Sequence, residues 1–313
     1  MGDFLVVGEC VADIVRVAGR DDVPHPGGSP ANVAYGLARL GRDTALLTQL
    51  GDDPAGALIG GHLRSAGVEL LGDLGADAVT PTAVVTLDGR GQASYDFAVR
   101  WTLGPVDRLP GEVRHVHLGS IGAVTEPGAA TVRKVVAGLR AGATVSYDPN
   151  VRPALFGPHP EAVARVEACV ALSDLVKASD EDLAWLYPGE PPRSVARRWL
   201  ALGPGAVIVT FGGDGSMAYT AAGELRGAPV RTEVADTVGA GDSFMAAALD
   251  TLAGLGLLGA AGRAGLSALS TRSVLEETAL GAVLRRAATA AALTVSRPGA
   301  NPPDLAELRA ALG

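Results

Sequence analysis

Short apolar segments that alternate with helical patterns are the feature that most constrains the fold of this chain. β-rich runs predict strands, and apolar residues at helical spacing between them predict helices. The predicted strands are 4–7, 45–47, 115–118, 143–147, 175–177 and 206–210, and the predicted helices are 31–40, 56–66, 128–141, 161–172 and 244–252. Such alternation is typical of a parallel sheet covered on both faces. We therefore expect an α/β fold with a doubly wound sheet, in a single domain over residues 1–313.

One segment departs from this alternation. Residues 84–87 and 94–97 predict two strands around the turn Asp88-Gly89, which indicates an antiparallel hairpin. We interpret it as part of a small β lid over the site, built from strands within about 11–25 and 82–104. An ordinary hairpin at the edge of the main sheet is the alternative.

Composition excludes several classes of protein. Hydrophobic residues make up 48% of the 313 residues, which is enough for a sizeable core. The net charge of −8 argues against a nucleic-acid or membrane partner. Cys10 and Cys169 have neither metal nor disulfide spacing, which favours the reducing cytoplasm. Acidic residues interrupt the apolar segment 1–15, so we expect a buried strand there and no signal peptide. The apolar segment 251–262 is too short to span a bilayer.

The strongest chemical motif is Asp236-Thr237-Val238-Gly239-Ala240-Gly241-Asp242. A helical pattern follows it, so the N–H groups of Gly239, Ala240 and Gly241 are expected to point out of a helix start. That geometry binds anions such as a phosphoryl group in transfer. A carboxylate is poorly suited to phosphate binding alone, but Asp242 is well placed to accept the proton of an attacking hydroxyl. The alternative is an Asp that only caps the helix.

A second motif, Pro26-Gly27-Gly28-Ser29-Pro30-Ala31-Asn32, leads into the predicted helix 31–40. Gly27 and Gly28 can present backbone donors to a polyol, and Asn32 offers both a donor and an acceptor to a sugar hydroxyl. Paired glycines before helices are common, so this motif is weak by itself.

Together, in this order and spacing, the two motifs resemble the two signatures of the ribokinase (PfkB) family. The likeness runs over nearly the whole chain and includes Gly8-Glu9 with Asp13, the segment 209–215, and the segment 296–300. The resemblance implies a ribokinase-like three-layer αβα fold with a small β lid. It also implies that Asp242 is the catalytic base and that residues 239–241 form the anion hole. The residues it assigns to sugar binding are Asp13, Gly27, Gly28 and Asn32.

The resemblance extends to cofactors and partners. It implies ATP with Mg²⁺, and a nucleotide-side loop that includes Thr210, Gly212 and Gly215. It implies a monovalent cation, K⁺, close to Asp236, Val238 and Ser296. Members of the family are frequently dimers joined through their lids, so a homodimer is expected.

Two further segments look most like the fructokinase branch of that family, Asp148-Pro149-Asn150-Val151-Arg152-Pro153 and 176–183. Arg152 follows a strand and could clamp a phosphate, although an exposed surface Arg is an equal alternative. Lys177 ends another strand, where we expect it beside the nucleotide phosphates with Ser179. A solvated surface Lys is the alternative.

The chain departs from the family pattern at one position. The usual Asn-x-x-Glu near the metal reads Ser179-Asp180-Glu181-Asp182 here. Asp182 is shorter than Glu by one methylene, but Mg²⁺ keeps several waters and can be held through them. Either Asp182 or Glu181 is the expected metal contact.

The leading hypothesis is an ATP-dependent kinase for fructose or a similar ketose. The alternatives are a kinase for 2-keto-3-deoxygluconate, ribose or a nucleoside, and the expected determinants are the lid residues Tyr95, Phe97, Arg100 and Trp101. A non-catalytic regulator that binds sugar or nucleotide is a further alternative, but the intact Gly-Ala-Gly-Asp argues against it. A dinucleotide-binding oxidoreductase is disfavoured, because the G-x-G-x-x-G motif of that class does not follow the first strand of this chain.

His115 and His117 share one strand face and are interpreted as a coincidental pair, because no carboxylate cluster accompanies them.

Overall fold

The computed structural model describes residues 3–17, 21–87, 93–106, 109–269 and 278–313. Within these residues the chain alternates between strands and helices along most of its length. The strands are β1 (Phe4–Val7), β2 (Val11–Val17), β3 (Val23–Gly27), β4 (Thr44–Gly51), β5 (Glu69–Gly75), β6 (Thr82–Leu87), β7 (Ala93–Ala98), β8 (His115–Gly119), β9 (Thr144–Asp148), β10 (Leu175–Ser179), β11 (Ala206–Thr210), β12 (Ser216–Thr220) and β13 (Gly223–Gly227). The helices are α1 (Ser29–Arg39), α2 (Pro54–Ser65), α3 (Ser120–Val124), α4 (Gly128–Leu139), α5 (Pro153–Phe156), α6 (His159–Leu172), α7 (Asp180–Leu186), α8 (Pro192–Leu202), α9 (Ala240–Gly254), α10 (Arg263–Ser267), α11 (Ala279–Val295) and α12 (Leu305–Leu312).

The larger of the two sheets has nine strands in the order β13-β12-β11-β10-β9-β8-β1-β4-β5. β1 pairs in parallel with both β4 and β8, so the strand order reverses direction beside β1. In sheets of this kind, ligands bind outside the carboxyl ends of the strands where the order reverses. β12 and β13 are antiparallel additions at one edge, which the sequence analysis did not predict.

Helices bury both faces of this sheet. Leu5 and Val7 of β1 belong to one core, together with Trp199 of α8. Phe4 and Val6 belong to the other, which includes α1, α9 and α11. Alternate side chains of a strand point to opposite faces, so a strand that is apolar throughout must be covered on both sides. The predicted three-layer α/β fold is confirmed.

The smaller sheet has four strands in the order β3-β2-β6-β7. β6 and β7 pair antiparallel, which confirms the predicted hairpin strands, while its turn at Asp88-Gly89 lies outside the described residues. β2 pairs in parallel with β6 and thereby joins two parts of the chain that are distant in sequence. We call these four strands the lid sheet; that it closes over a ligand stays a prediction.

Trp101 does not belong to the lid sheet, so its predicted role there is wrong. β7 ends at Ala98, and Trp101 is only 1% exposed within the main core. A methyl group at Gly128, the first residue of α4, would lie 2.4 Å from the indole ring. The ring therefore packs tightly on the start of that helix.

Among the described residues, none of the helices combines the length and the apolar character needed to cross a bilayer.

Candidate active site

Two helices begin side by side at the carboxyl edge of the large sheet, and a glycine precedes each of them. Gly28, before α1, has φ of 99°, and a methyl group there would lie 2.6 Å from the carbonyl oxygen of Glu9. Gly239, before α9, has φ of 75°, and a methyl group there would lie 2.7 Å from Cβ of Ala300. Both turns therefore require glycine, and both present helix N–H groups to the same region.

Asp242, in the first turn of α9, is held by the motif that begins α1. The hydroxyl of Ser29 donates to Oδ1 at 2.7 Å, and the amide of Asn32 donates to Oδ2 at 2.8 Å. Burial raises the pKa of Asp242, while these two hydrogen bonds and the charges of Lys177 and Arg152 oppose the shift. The two predicted motifs thus meet at one buried carboxylate.

Lys177 forms a buried ion pair with Asp148 close to Asp242. Its Nζ donates to Oδ2 of Asp148 at 2.7 Å, and both side chains are buried. A methyl group at Gly241 would lie 2.8 Å from Nζ, so the ammonium group lies directly against the start of α9. Burial by itself would lower the pKa of Lys177, but Asp148 reverses this and the net shift is upward. Lys177 is therefore a buried cation at the predicted anion hole and not a solvated surface residue.

Asp13, on β2, lies against Gly27 of β3. A methyl group at Gly27 would lie 2.1 Å from Oδ2 of Asp13, so the carboxylate occupies the space where a side chain would be. Burial raises the pKa of Asp13 to about 6, and the positive charges of Arg152 and His25 oppose the shift. Asp13, which is expected to bind the sugar, is thus close enough to Arg152 for the two charges to interact.

Arg152 precedes α5 and is exposed. Its Nη1 donates to the side-chain oxygen of Asn150 at 2.9 Å and to the carbonyl oxygen of Val151 at 3.0 Å. Its positive charge opposes the rise in the pKa of both Asp13 and Asp242, so it is close enough to interact with both carboxylates. This position is compatible with the predicted phosphate clamp.

The nucleotide-side residues lie at the ends of β10 and β11. Ser179 and Thr210 are directly paired where these strands end. The loop after β11 turns at Gly212 and Gly215, which have φ of 51° and 94°. The predicted loop therefore lies at the same edge of the sheet as Lys177.

Asp182 caps the helix α7. One of its oxygens accepts from the backbone N–H of Val151 at 2.7 Å and the other from that of Ser179 at 2.8 Å, while the Ser179 hydroxyl accepts from the N–H of Asp182. In the part of the chain that the structure describes, no group of three or more His, Cys, Asp or Glu side chains is placed to hold a metal. Both oxygens of Asp182 thus already accept backbone hydrogen bonds, and the metal contact at Asp182 or Glu181 stays a prediction.

Asp236 joins the loop before α9 to the loop after α11. Its Oδ1 accepts from the N–H of Val238 at 3.0 Å, and its Oδ2 accepts from that of Gly299 at 2.9 Å. The hydroxyl of Ser296 donates to the carbonyl oxygen of Leu293 at 2.8 Å. The segment 296–300 thus lies beside the predicted anion hole, and a monovalent cation there stays a prediction.

The predicted acceptor determinants Tyr95, Phe97 and Arg100 lie on β7 or directly after it. Phe97 is half-buried and paired with Ala83, and Tyr95 is on the same strand. Arg100 follows the strand and its side chain is exposed. Their contact with an acceptor stays a prediction.

Sequence reasoning assigned no role to three residues at this site, Ser29, Asp148 and Glu9, although each stands in a segment that it quoted. Ser29 stands inside the motif 26–32, so its position between Gly28 and Pro30 was the available signal. Glu9 is buried, and one of its oxygens accepts from the N–H of Gly122 at 2.7 Å at the start of α3. Burial raises the pKa of Glu9 to about 7. No local pattern marks a carboxylate whose partner is more than a hundred residues away.

Comparison with known proteins shows a likeness over the whole chain. A family described as pfkB family carbohydrate kinase matches residues 1–307. Fructokinase from Klebsiella pneumoniae is 35% identical over 265 residues, which cover 82% of this chain and 86% of that protein. Fructokinase with bound ATP from Xylella fastidiosa has a TM-score of 0.84 at 26% identity, with 100% of this chain and 98% of that chain covered. Aminoimidazole riboside kinase from Salmonella enterica, complexed with aminoimidazole riboside and an ATP analog, has a TM-score of 0.80 at 26% identity over 99% of both chains.

Proposed function

Because this chain belongs to the pfkB family of carbohydrate kinases and is an ATP-dependent sugar kinase, we propose that its acceptor is fructose or a similar ketose. The observation that carries the kinase chemistry is Asp242, a buried carboxylate at a glycine-preceded helix start, bonded to Ser29 and Asn32 of the motif 26–32. The likeness to fructokinases along most of the chain supports the choice of acceptor.

Asp242 accepts the proton of the attacking hydroxyl. The acceptor oxygen forms a bond to the γ-phosphorus as the bond from that phosphorus to the bridging oxygen of ADP breaks. A carboxylate whose pKa is raised by burial is a stronger base than a solvated one, and it remains useful while it is ionised at working pH. Each oxygen of Asp242 already accepts one protein hydrogen bond, which leaves further lone pairs for the substrate.

The start of α9 stabilises the charge of the group in transfer. The N–H groups of Gly239 and Gly241 meet its oxygens, and that of Ala240 joins them by giving up its 3.3 Å bond to the carbonyl oxygen of Thr237. The ammonium of Lys177 lies against Gly241. Arg152 faces the group from the acceptor side. Positioned charges and donors of this kind supply most of the catalysis in phosphoryl transfer, because little covalent chemistry is left for the protein.

A riboside is the second candidate acceptor. The likeness to aminoimidazole riboside kinase covers both chains almost completely, with a TM-score close to that of the fructokinase. The same base and anion hole would serve either acceptor, so the difference must come from the walls of the sugar site. Phe97 and Arg100 are the residues that we propose for this part, and Arg100 would suit an acidic acceptor such as 2-keto-3-deoxygluconate.

An acceptor panel tests the proposal. ADP formation is measured with ATP, Mg²⁺ and, in turn, fructose, ribose, adenosine and 2-keto-3-deoxygluconate. We expect the highest kcat/KM with fructose. A higher kcat/KM with ribose, adenosine or 2-keto-3-deoxygluconate would overturn the choice of acceptor. A lack of ADP formation with all four acceptors would instead support the non-catalytic regulator.

A further inference from the structure

The Ser29 hydroxyl contacts Asp242, but the reaction described above gives it no role of its own. Ser29 is the first residue of α1 and is 6% exposed. Its Oγ donates to Oδ1 of Asp242 at 2.7 Å, across 213 positions of sequence. A hydrogen bond from a hydroxyl to a carboxylate is charge-assisted and stronger than one between neutral groups. Ser29 is thus a short, rigidly placed donor to the proposed base.

The backbone around Ser29 limits where its hydroxyl can lie. Gly28 has φ of 99° and is packed against the carbonyl oxygen of Glu9, and Pro30 fixes its own φ in the first turn of α1. The terminal torsion of an Asp side chain is broad, so a carboxylate without fixed partners can rotate. A donor on rigid backbone at one oxygen and a second donor at the other fix the plane of the Asp242 carboxylate.

Ser29 and Asn32 differ in their access to a ligand. Asn32 is half-buried, and it is the residue that we expect to exchange its bond to Oδ2 for one to the sugar. Ser29 is buried and remains on Oδ1. We therefore propose that Ser29 is a positioning residue that anchors Oδ1 of Asp242 and so aims Oδ2 at the acceptor hydroxyl. This inference rests on the proposed role of Asp242 as the base.

The pKa of Asp242 distinguishes a positioning role of Ser29 from a purely structural one, and the charged groups around Asp242 contribute to that pKa. Lys177 of β10 and Arg152, which precedes α5, favour its ionised form. Asp13 of β2 and Asp148 of β9 are the acidic groups whose charges interact with it. Burial raises the pKa of Asp242, and the bonds from Ser29 and Asn32 oppose the rise. Removal of the Ser29 hydroxyl raises that pKa further, so a larger fraction of the base is protonated at a given pH.

Steady-state kinetics of Ser29→Ala test the proposal on the acceptor that the wild-type protein phosphorylates fastest. We expect kcat to fall about tenfold, because a misaimed base loses part of its contribution to the rate. KM for ATP should stay within about twofold, because Ser29 makes no part of the proposed nucleotide site. The acidic limb of the pH–kcat/KM profile should move to higher pH. Ser29→Thr keeps the hydroxyl and should restore most of kcat and the wild-type limb.

Ser173→Ala is the matched control. Ser173 is also a buried serine, but its hydroxyl donates to the carbonyl oxygen of Cys169 beyond the amino-terminal end of β10. This variant should leave kcat and the pH profile unchanged, and thermal unfolding of both variants shows whether they fold. Wild-type kcat in Ser29→Ala overturns the proposal. So does a fall in kcat that leaves the acidic limb in place and that Ser29→Thr does not restore.

A direct titration separates this inference from the proposed function. The Asp242 carboxyl carbon is followed by NMR in protein labelled at Asp, with Asp242→Asn to assign the resonance. A higher pKa of Asp242 in Ser29→Ala than in the wild type supports the anchor even if the acceptor panel fails. An unchanged pKa overturns it even if the panel confirms fructose.

Discussion

Gly27 shows at the scale of a single residue how the acceptor side is built. It ends β3 opposite Val11, and the Asp13 carboxylate fills the space where a side chain would stand. The glycine is therefore needed for the position of its neighbour rather than for a special backbone angle of its own. The sequence motif predicted Gly27 at the sugar site but did not reveal this reason.

Gly27→Ala should weaken binding of the sugar and leave binding of ATP unchanged. The added methyl group would lie 2.1 Å from Oδ2 of Asp13, so the carboxylate or strand β3 must move. We expect KM for the sugar to rise on the order of tenfold, which corresponds to about 1.4 kcal/mol. Initial rates at varied sugar and varied ATP measure the two effects separately.

Gly61→Ala is the control for this change. Gly61 lies within α2, and a methyl group there would meet nothing within 4 Å. Gly61→Ala should leave both KM values unchanged, because the added methyl group disturbs no neighbour. The helix itself tolerates the change, because alanine is a better helix former than glycine. An unaltered sugar KM in Gly27→Ala would contradict the position that we give Asp13.

At the scale of elements, β8 and β9 carry a buried polar ladder. His115 bonds to Thr144 at 2.9 Å and to Ser146 at 2.8 Å, and His117 bonds to the same Ser146 at 2.8 Å. Both imidazoles are buried, and burial lowers their pKa values to about 3. The two histidines are therefore neutral structural groups between paired strands, which explains why they share one strand face.

This ladder should make the fold sensitive to acid. In the unfolded chain an imidazole has a pKa of about 6.5. Below that pH the two histidines are protonated in the unfolded chain but remain neutral in the folded one. The contribution of the pair to stability is complete above about pH 6.5 and is lost progressively as pH falls toward about 3. In the double variant His115→Gln, His117→Gln, the melting temperature should therefore fall less between about pH 7.5 and about pH 5.5 than in the wild type.

Thermal unfolding at equal ionic strength measures this difference. Glu9, Asp13 and Asp148 have raised pKa values and act in the opposite direction, but they are present in both proteins and cancel in the comparison. Equal losses of melting temperature in the two proteins would refute the neutral ladder.

Elements were predictable where hydrophobic periodicity is strong. β1 and β11 appear as predicted, because their side chains are apolar on both faces. β12 and β13 were missed, because Ser216–Thr220 and Gly223–Gly227 lack a run of apolar β-branched residues, and β13 begins and ends with glycine. α9 begins at Ala240, four residues before the predicted 244, because glycine and aspartate are poor helix formers but suit a helix start.

At the scale of the whole molecule, the site depends on contacts that no local pattern encodes. The bond between Ser29 and Asp242 spans 213 positions, and that between Glu9 and Gly122 spans 113. The two glycine motifs could be recognised in the sequence, but their meeting at Asp242 follows only from the packing of α1 against α9 in the second core. The bond from the N–H of Val151 to Asp182 is also of this kind, whereas the capping box of Asp182 with Ser179 is local and was missed because the segment 179–182 was interpreted as a metal contact.

The dimer through the lid sheet stays a prediction at this scale. Val15 and Val23 are directly paired across β2 and β3, and they are 38% and 51% exposed. Such a pair, on the outer strand β3 and its neighbour β2, is compatible with an interface between copies, although single exposed apolar residues are also common on free surfaces.

The central claim, that Asp242 is the base of a sugar kinase, is tested most directly by the turnover of Asp242→Asn. The amide keeps the shape of the side chain, and its oxygen and nitrogen can still pair with Asn32 and Ser29. We expect kcat with ATP and the sugar to fall between about 10² and about 10⁴-fold, which is the usual contribution of general base catalysis. Calorimetry should show ATP and sugar affinities close to those of the wild type. Turnover within about twofold of the wild type would contradict the role given to Asp242.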